Sequence, residues 1–140
     1  MLVGAAGPIA ADRSRLLPGR EGDAGSKGTA IWIGGEGAVA AVCPWGVKTL
    51  DADARHATDP ASESWLVFSG HFFSGHMSPA TLLSRLTDRG LACLADVDGS
   101  FAFAWFDGAR RRLSLVRDRV GAEPLFYAQT GAGVLFASRI

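Results

Sequence analysis

The sequence has only two cysteines, no apolar run long enough to cross a membrane, and no excess of either charge. Cys43 and Cys93 each stand in an apolar stretch without a second metal-ligating residue nearby, which favours buried free thiols over a disulfide or a zinc site. A membrane-spanning helix needs roughly 18 or more apolar residues, so we expect a cytoplasmic protein without a membrane partner. The 14 basic and 14 acidic residues cancel, which predicts no electrostatic attraction to nucleic acid.

The remaining composition is that of a folded domain. Hydrophobic residues make up 48% of the 140 positions, which is enough material for a buried core. A single domain over residues 1–140 is therefore predicted. Residues 10–28 are an exception, because glycine, arginine, aspartate and serine dominate this segment without periodicity, and the segment is predicted to be a mobile loop.

The most informative stretch runs from Asp98 to the C-terminus. Between positions 101 and 106, large rings alternate with mostly small apolar residues, which predicts a central strand buried on both faces. Asp107-Gly108 then favours a reversal into a second apolar run, and a third run begins at Gly133. These runs predict a meander of three or four antiparallel strands, the second of them ended by Gly121 and Pro124.

A hairpin, a further strand and two helices are predicted upstream. Apolar runs at 29–33 and 38–43 flank a glycine-rich turn, and residues 65–68 predict another strand. Ser78 is the predicted N-cap of a helix that Gly90 ends. Its buried stripe is predicted to consist of Leu82, Leu83 and Leu86. Residues 91–97 predict a second short helix with Leu91 and Leu94 facing inward.

The last third of the chain contains three motifs that follow one another in a recognisable order. They are Asp-Gly-Ser-Phe-Ala-Phe-Ala from Asp98, Leu-Ser-Leu-Val-Arg-Asp-Arg-Val-Gly-Ala-Glu-Pro-Leu-Phe-Tyr from Leu113, and Leu-Phe-Ala-Ser from Leu135. This pattern resembles the N-terminal glutaminase domain of the asparagine synthetase and β-lactam synthetase family, the class II glutamine amidotransferases. The resemblance implies an α+β fold: a shortened αββα sandwich of two antiparallel sheets with flanking helices, of the N-terminal-nucleophile (Ntn) hydrolase type. It also implies a scaffold role for Asp98, Gly99, Arg117, Asp118, Gly121 and Pro124.

The position of the family's nucleophile is the first departure from that pattern. Active members need a cysteine directly after the initiator methionine, because its freed α-amino group is the general base for its own thiol. This sequence has Leu2, whose side chain carries no nucleophilic atom. Cys43 is the remaining candidate nucleophile, although autoproteolysis before Cys43-Pro44 would place the new terminus inside a predicted strand.

The turn Ser69-Gly70-His71 is the second departure. It resembles the family's Asn-Gly-Glu turn, in which the asparagine side chain and the glycine N–H form the oxyanion hole. Gly70 keeps the backbone donor, whereas Ser69 replaces the side-chain amide and His71 replaces the acid. Family members also bind the carboxylate and amino groups of glutamine through an arginine and an aspartate. Arg55 and Asp88 are the nearest such residues here, and both are better explained as solvated surface charge.

These replacements predict a pseudoenzyme, a glutaminase-like subunit that supports a separately encoded asparagine-synthetase-like protein. ATP and Mg²⁺ are expected only in that partner, and neither a cofactor nor a metal is expected in this chain, in which no synthetase domain is recognised. The sequence leaves open whether the chain forms a homo-oligomer. Two alternatives remain: an active amidotransferase subunit that uses Cys43, and a small-molecule module that binds an amino acid near Gly70 and His71.

Overall fold

The computed structural model describes residues 2–6, 31–35, 38–42, 55–73 and 75–138, and these form two antiparallel sheets with helical segments beside them. The strands are β1 (Leu2–Ala6), β2 (Ile31–Gly35), β3 (Ala38–Val42), β4 (His56–Asp59), β5 (Ser64–Phe72), β6 (Gly99–Asp107), β7 (Arg112–Arg117), β8 (Phe126–Thr130) and β9 (Gly133–Ala137). The helices are α1 (Pro79–Arg89) and a 3-10 helix (Gly90–Asp96). The predicted α+β class and its two antiparallel sheets are confirmed.

The four-stranded sheet has the order β4-β5-β6-β7, so β6 is a central strand as predicted. Its large rings face one side, and its small residues with Phe106 face the other. All residues from Phe101 to Asp107 are buried, because both faces of the sheet are covered. The alternation of ring and methyl groups therefore identified a strand packed between two layers.

The five-stranded sheet has the order β2-β3-β1-β9-β8 and corrects the predicted meander. Strands β6 and β7 stay together in the four-stranded sheet, but β8 and β9 belong to the other one. The second strand ends at Arg117, before Gly121 and Pro124, and the intervening loop carries the chain from one sheet to the other. The predicted hairpin of β2 and β3 is confirmed, with Gly35 opposite Ala38.

Helix α1 covers the outer face of the four-stranded sheet. Ser78 caps it by accepting a hydrogen bond from the N–H of Thr81 at 3.1 Å, and Gly90 ends it with φ at 62°. The three predicted leucines of its apolar stripe are buried. They pack with the rings of Phe68, Phe101 and Phe103 in one apolar cluster, which we call the helix-side core.

The short second helix is a 3-10 helix, and the residue that it buries is Cys93. Leu91 is 42% exposed, so its predicted inward position is wrong, whereas Cys93 is 1% exposed and Leu94 packs partly against the helix-side core.

A second apolar cluster lies between the two sheets. Its buried members are Trp65, Val67, Ala104, Phe106 and Phe136. The described residues therefore stack as a helical layer, the four-stranded sheet and the five-stranded sheet. None of the helices in this part of the chain is long and apolar enough to cross a bilayer. The predicted loop at 10–28 lies outside the described residues.

Candidate functional site

The predicted turn Ser69-Gly70-His71 belongs to β5, because all three residues still pair with β6 near the end of the strand; we keep the name Ser69-Gly70 turn for it. Ser69 is opposite Ala102 and Gly70 is opposite Phe101. Gly70 has φ of 107°, and a Cβ at this position would lie 2.0 Å from the carbonyl oxygen of Ser100. Only glycine fits this backbone conformation and this close approach of two strands.

Glu123 covers this turn. The hydroxyl of Ser69 donates to Oε2 of Glu123 at 3.3 Å, across a sequence separation of 54 residues. The Cγ atom of Glu123 lies 2.9 Å from the position that a Cβ on Gly70 would take. The side chain of Glu123 therefore occupies the space directly beside Gly70 and engages the hydroxyl of Ser69.

Sequence reasoning missed Glu123. The residue stands in a loop motif that was assigned to the scaffold, and nothing in the spacing of the motif places it against a turn so far upstream. The sequence offered no signal for this contact, because a glutamate in a loop normally faces solvent.

The backbone of this loop is held by Asp118. Its Oδ1 accepts hydrogen bonds from the N–H groups of Val120 and Ala122, and its Oδ2 accepts from those of Phe101 and Glu123, all at 3.0–3.2 Å. The side chain of Asp118 is 7% exposed. One carboxylate thus ties the start of β6 to the loop that positions Glu123.

Arg117 holds the same loop from its other side. Its Nε donates to the carbonyl of Glu123 at 2.9 Å, and its Nη2 donates to the carbonyl of Gly121 at 2.6 Å. Gly121 adopts φ of 68°, a left-handed conformation that suits glycine. The side chains of Asp118 and Arg117 therefore bond three N–H groups and two carbonyls of this loop.

These hydrogen bonds lower the pKa of Asp118 to about 2. The N–H of Ala122 is the largest cause, and the N–H groups of Glu123, Phe101 and Val120 act in the same direction against the opposing effect of burial. N–H donors favour the charged form of a carboxyl group, since the neutral form accepts hydrogen bonds more weakly.

The remaining sequence candidates lie in different places. Leu2 is the first residue of β1, in register with Val42 of β3, and Cys43 lies outside the described residues. His71 is exposed, with its ring centroid 5.4 Å from that of Phe73. The carbonyl of Asp98 accepts a hydrogen bond from the N–H of Phe73, so the start of β6 lies beside the end of β5.

Four further candidates lie around these elements. Gly99 packs closely on β5, because a Cβ there would lie 2.6 Å from the carbonyl oxygen of His71. Asp88 is exposed on α1, and Arg55 is half-buried just before β4. Pro124 is exposed and directly follows Glu123. The structure thus brings Ser69, Gly70 and Glu123 together.

The thiol and metal chemistry of the described residues is limited. Cys93 is a free cysteine buried in the helix-side core, as predicted, and burial raises the pKa of its thiol. A thiol of this kind is a poor nucleophile. Within the described ranges, no group of three or more histidine, cysteine or acidic side chains could hold a metal ion. The chemistry that the site offers is that of one carboxylate, one hydroxyl and backbone groups.

Comparison with known proteins identifies relatives of the segment that carries this site. A family model described as a glutamine amidotransferase domain matches residues 60–140. The glutamine-hydrolyzing asparagine synthetases 3 and 2 of Bacillus subtilis (strain 168) are 37% identical over 71 residues and 31% identical over 70 residues, respectively. These matches cover 51% and 50% of this chain but only 12% and 9% of the two relatives, so the chain spans a small part of their length.

Proposed function

This chain belongs to the glutamine amidotransferase domain family, and we propose that it is a catalytically silent member, related to asparagine synthetase. In this proposal it acts in the cytoplasm as a scaffold for a separately encoded asparagine-synthetase-like enzyme. That partner forms an amide bond with ATP and Mg²⁺ in the biosynthesis of an amide-containing metabolite. The observation that supports a silent site is the position of Glu123 beside Gly70.

The charge of Glu123 opposes the chemistry of an amide-hydrolysing site. Hydrolysis of an amide passes through a tetrahedral intermediate whose oxygen becomes negative and needs hydrogen-bond donors. A carboxylate at the turn brings a second negative charge to that region, and two like charges ~4 Å apart repel by about 1–4 kcal/mol over the dielectric range from water to a protein surface. The hydroxyl of Ser69 already donates to the same carboxylate. Both the space and the side-chain donor are therefore taken.

An assay of ammonia release from glutamine tests whether the domain is silent. We expect the purified chain to release ammonia no faster than buffer, because the hydroxyl of Ser69 already donates to Glu123 and a carboxylate lies beside Gly70. Ammonia would be measured by coupling to glutamate dehydrogenase, and Cys43→Ala and Cys93→Ala variants would be run beside the wild type. Ammonia release that disappears in Cys43→Ala but persists in Cys93→Ala would instead show an active amidotransferase.

The scaffold role is tested by recovering the chain from its native host. We expect the tagged chain to co-purify with an asparagine-synthetase-like protein, identified by mass spectrometry and by exchange of pyrophosphate into ATP. The Cys43→Ala variant serves as a control, because a scaffold needs no thiol and must recover the same protein. A chain recovered alone, from a host in which its deletion leaves amide formation intact, would refute this role.

A second candidate function, an amino-acid binding module, is favoured by the charge balance of the turn. Glu123 accepts a hydrogen bond from Ser69, and within the described part of the chain no cationic side chain lies within ion-pair distance of its carboxylate. The α-ammonium group of an amino acid would supply the missing positive charge, through a charge-assisted hydrogen bond.

Thermal unfolding with added amino acids tests this candidate. A ligand at ~100 times its dissociation constant stabilises the folded state by about 2.7 kcal/mol, and we expect Glu123→Gln to remove that stabilisation because it removes the charge. Glu63→Gln is the matched control, since Glu63 has a side chain that is 78% exposed and lies 4.0 Å from Arg111. An equal response of both variants would contradict amine binding at Glu123.

A further inference from the structure

A cavity of about 490 Å³ opens between the 3-10 helix, the end of β5 and the loop that follows β7. Six of its lining residues carry apolar side chains larger than that of alanine: Phe73, Leu94, Val97, Phe101, Val116 and Val120. Four of these also belong to the helix-side core or pack against it, so the floor of the cavity is part of a fixed structure. A volume in the range of roughly 300–1,000 Å³ with mainly apolar walls is typical of small-molecule sites.

Two of the lining side chains are unusually exposed for apolar residues. Phe73 is 68% exposed and Val120 is 87% exposed, and they stand on different segments of the chain. A ligand that covers exposed apolar surface beside an apolar cavity gains binding free energy, by about 25 cal/mol for each Å² that is removed from water. This geometry favours a ligand with an apolar body.

Positive charge lies on the same cavity wall. The Nη2 atom of Arg119 donates to the carbonyl of Ala95 at 3.0 Å, and Arg117 donates to two carbonyls of its own loop. In the part of the chain that the structure describes, neither guanidinium group has a carboxylate within ion-pair distance.

The two acidic residues of the wall do not neutralise these arginines. The carboxylate of Asp118 is occupied by four backbone N–H groups, and Asp98 has an exposed side chain. A guanidinium group has five N–H donors, so carbonyl partners leave further donors of Arg117 and Arg119 available.

We propose that this cavity binds a small amphipathic anion, with its apolar body against Phe101 and Val116 and its carboxylate head at Arg119. The inference rests on the cavity, its exposed apolar rim and its arginines, and it is independent of the function proposed for the Ser69-Gly70 turn. Arg119 bridges the loop to the 3-10 helix, so a ligand held there contacts both walls of the cavity.

The test compares three probes that share one alkyl chain and differ in head-group charge. Decanoate and decylamine below their micelle concentrations, and 1-decanol below its solubility limit, would be titrated calorimetrically into the full chain. We expect decanoate to bind at least about tenfold more tightly than 1-decanol, because its carboxylate makes a charge-assisted hydrogen bond to Arg119. Decylamine is expected to bind most weakly, because its positive charge is repelled by the arginines. Equal affinity for the three probes, or no binding of decanoate, would overturn the proposal.

Substitutions of single residues test whether the probes bind in this cavity. Arg119→Gln is expected to reduce the affinity for decanoate to that for 1-decanol, and Val120→Ser, which removes apolar surface without adding charge, is expected to weaken all three probes. Arg112→Gln is the matched control because Arg112 is an exposed arginine at the far end of β7, and it is expected to bind decanoate like the wild type. Melting temperatures would show that each variant is folded. A loss in Arg112→Gln equal to that in Arg119→Gln would refute the assignment.

Discussion

Asp118→Asn is expected to lower the melting temperature by on the order of 10 °C, because two of the four backbone N–H groups that the carboxylate accepts lose their acceptor. An asparagine side chain keeps one acceptor oxygen, which can serve two of the N–H groups. Its NH₂ group would face the other two, so donors would meet donors inside a site with little access to water. Thermal unfolding followed by circular dichroism at pH 7 measures the loss.

The same substitution should change how stability depends on pH. The pKa of Asp118 is about 2 in the folded protein, below its usual 3.8, so its contribution is fully present above pH ~4 and is lost as the pH falls toward 2. The wild type is therefore expected to lose stability over that interval, and Asp118→Asn to lose less. Hydrogen bonds also lower the pKa values of Asp59 and Asp107, so a residual dependence remains in the variant.

The matched control is Asp88→Asn, which makes the same change of charge on the exposed surface of α1. A solvated surface substitution of this kind changes the free energy of unfolding by no more than about 0.5 kcal/mol. If Asp88→Asn and Asp118→Asn lowered the melting temperature equally, the backbone hydrogen bonds of Asp118 would not be the source of its effect.

Gly70→Ala is expected to destabilise the fold by more than about 3 kcal/mol. The added Cβ would lie 2.0 Å from the carbonyl oxygen of Ser100 and 2.9 Å from Cγ of Glu123, and the backbone φ of 107° is a conformation that alanine rarely adopts. Relief would require β5 and β6 to separate at this point. Urea unfolding followed by tryptophan fluorescence measures the change.

Gly131→Ala provides the comparison for that substitution. Gly131 lies in the turn between β8 and β9, and a Cβ there would have no atom within 4 Å. We expect its free energy of unfolding to stay close to that of the wild type. A Gly70→Ala protein as stable as Gly131→Ala would mean that the close strand contact at Gly70 is not rigid.

The sequence predicted those helices and strands whose formation depends on residues close to one another in the chain. Ser78 and Gly90 define the ends of α1 because capping depends on residues within one turn of the helix. The alternation around Phe103 predicted a central strand because the two faces of a strand are read directly from successive residues. The arrangement of two stacked sheets was predicted only from the resemblance to the amidotransferase family.

The features that the sequence did not predict depend on contacts between distant segments. Glu123 reaches Ser69 only because the loop held by Asp118 folds over the end of β5, and no spacing rule describes that approach. The division of the last strands between two sheets depends on the same loop. Leu91 is exposed and Cys93 is buried because the packing of the 3-10 helix against the rest of the molecule, and not its own pattern, selects the inward residues.

The order of strands in the five-stranded sheet has a consequence for how the protein is made. Strand β1 lies between β3 and β9, so Val3 pairs with Ala137 near the opposite end of the described chain. A ribosome synthesises β1 first and β9 after every other strand. One hydrogen-bonding edge of β1 therefore stays without its final neighbour until synthesis has reached β9, whereas the four-stranded sheet can assemble from a continuous stretch of nascent chain.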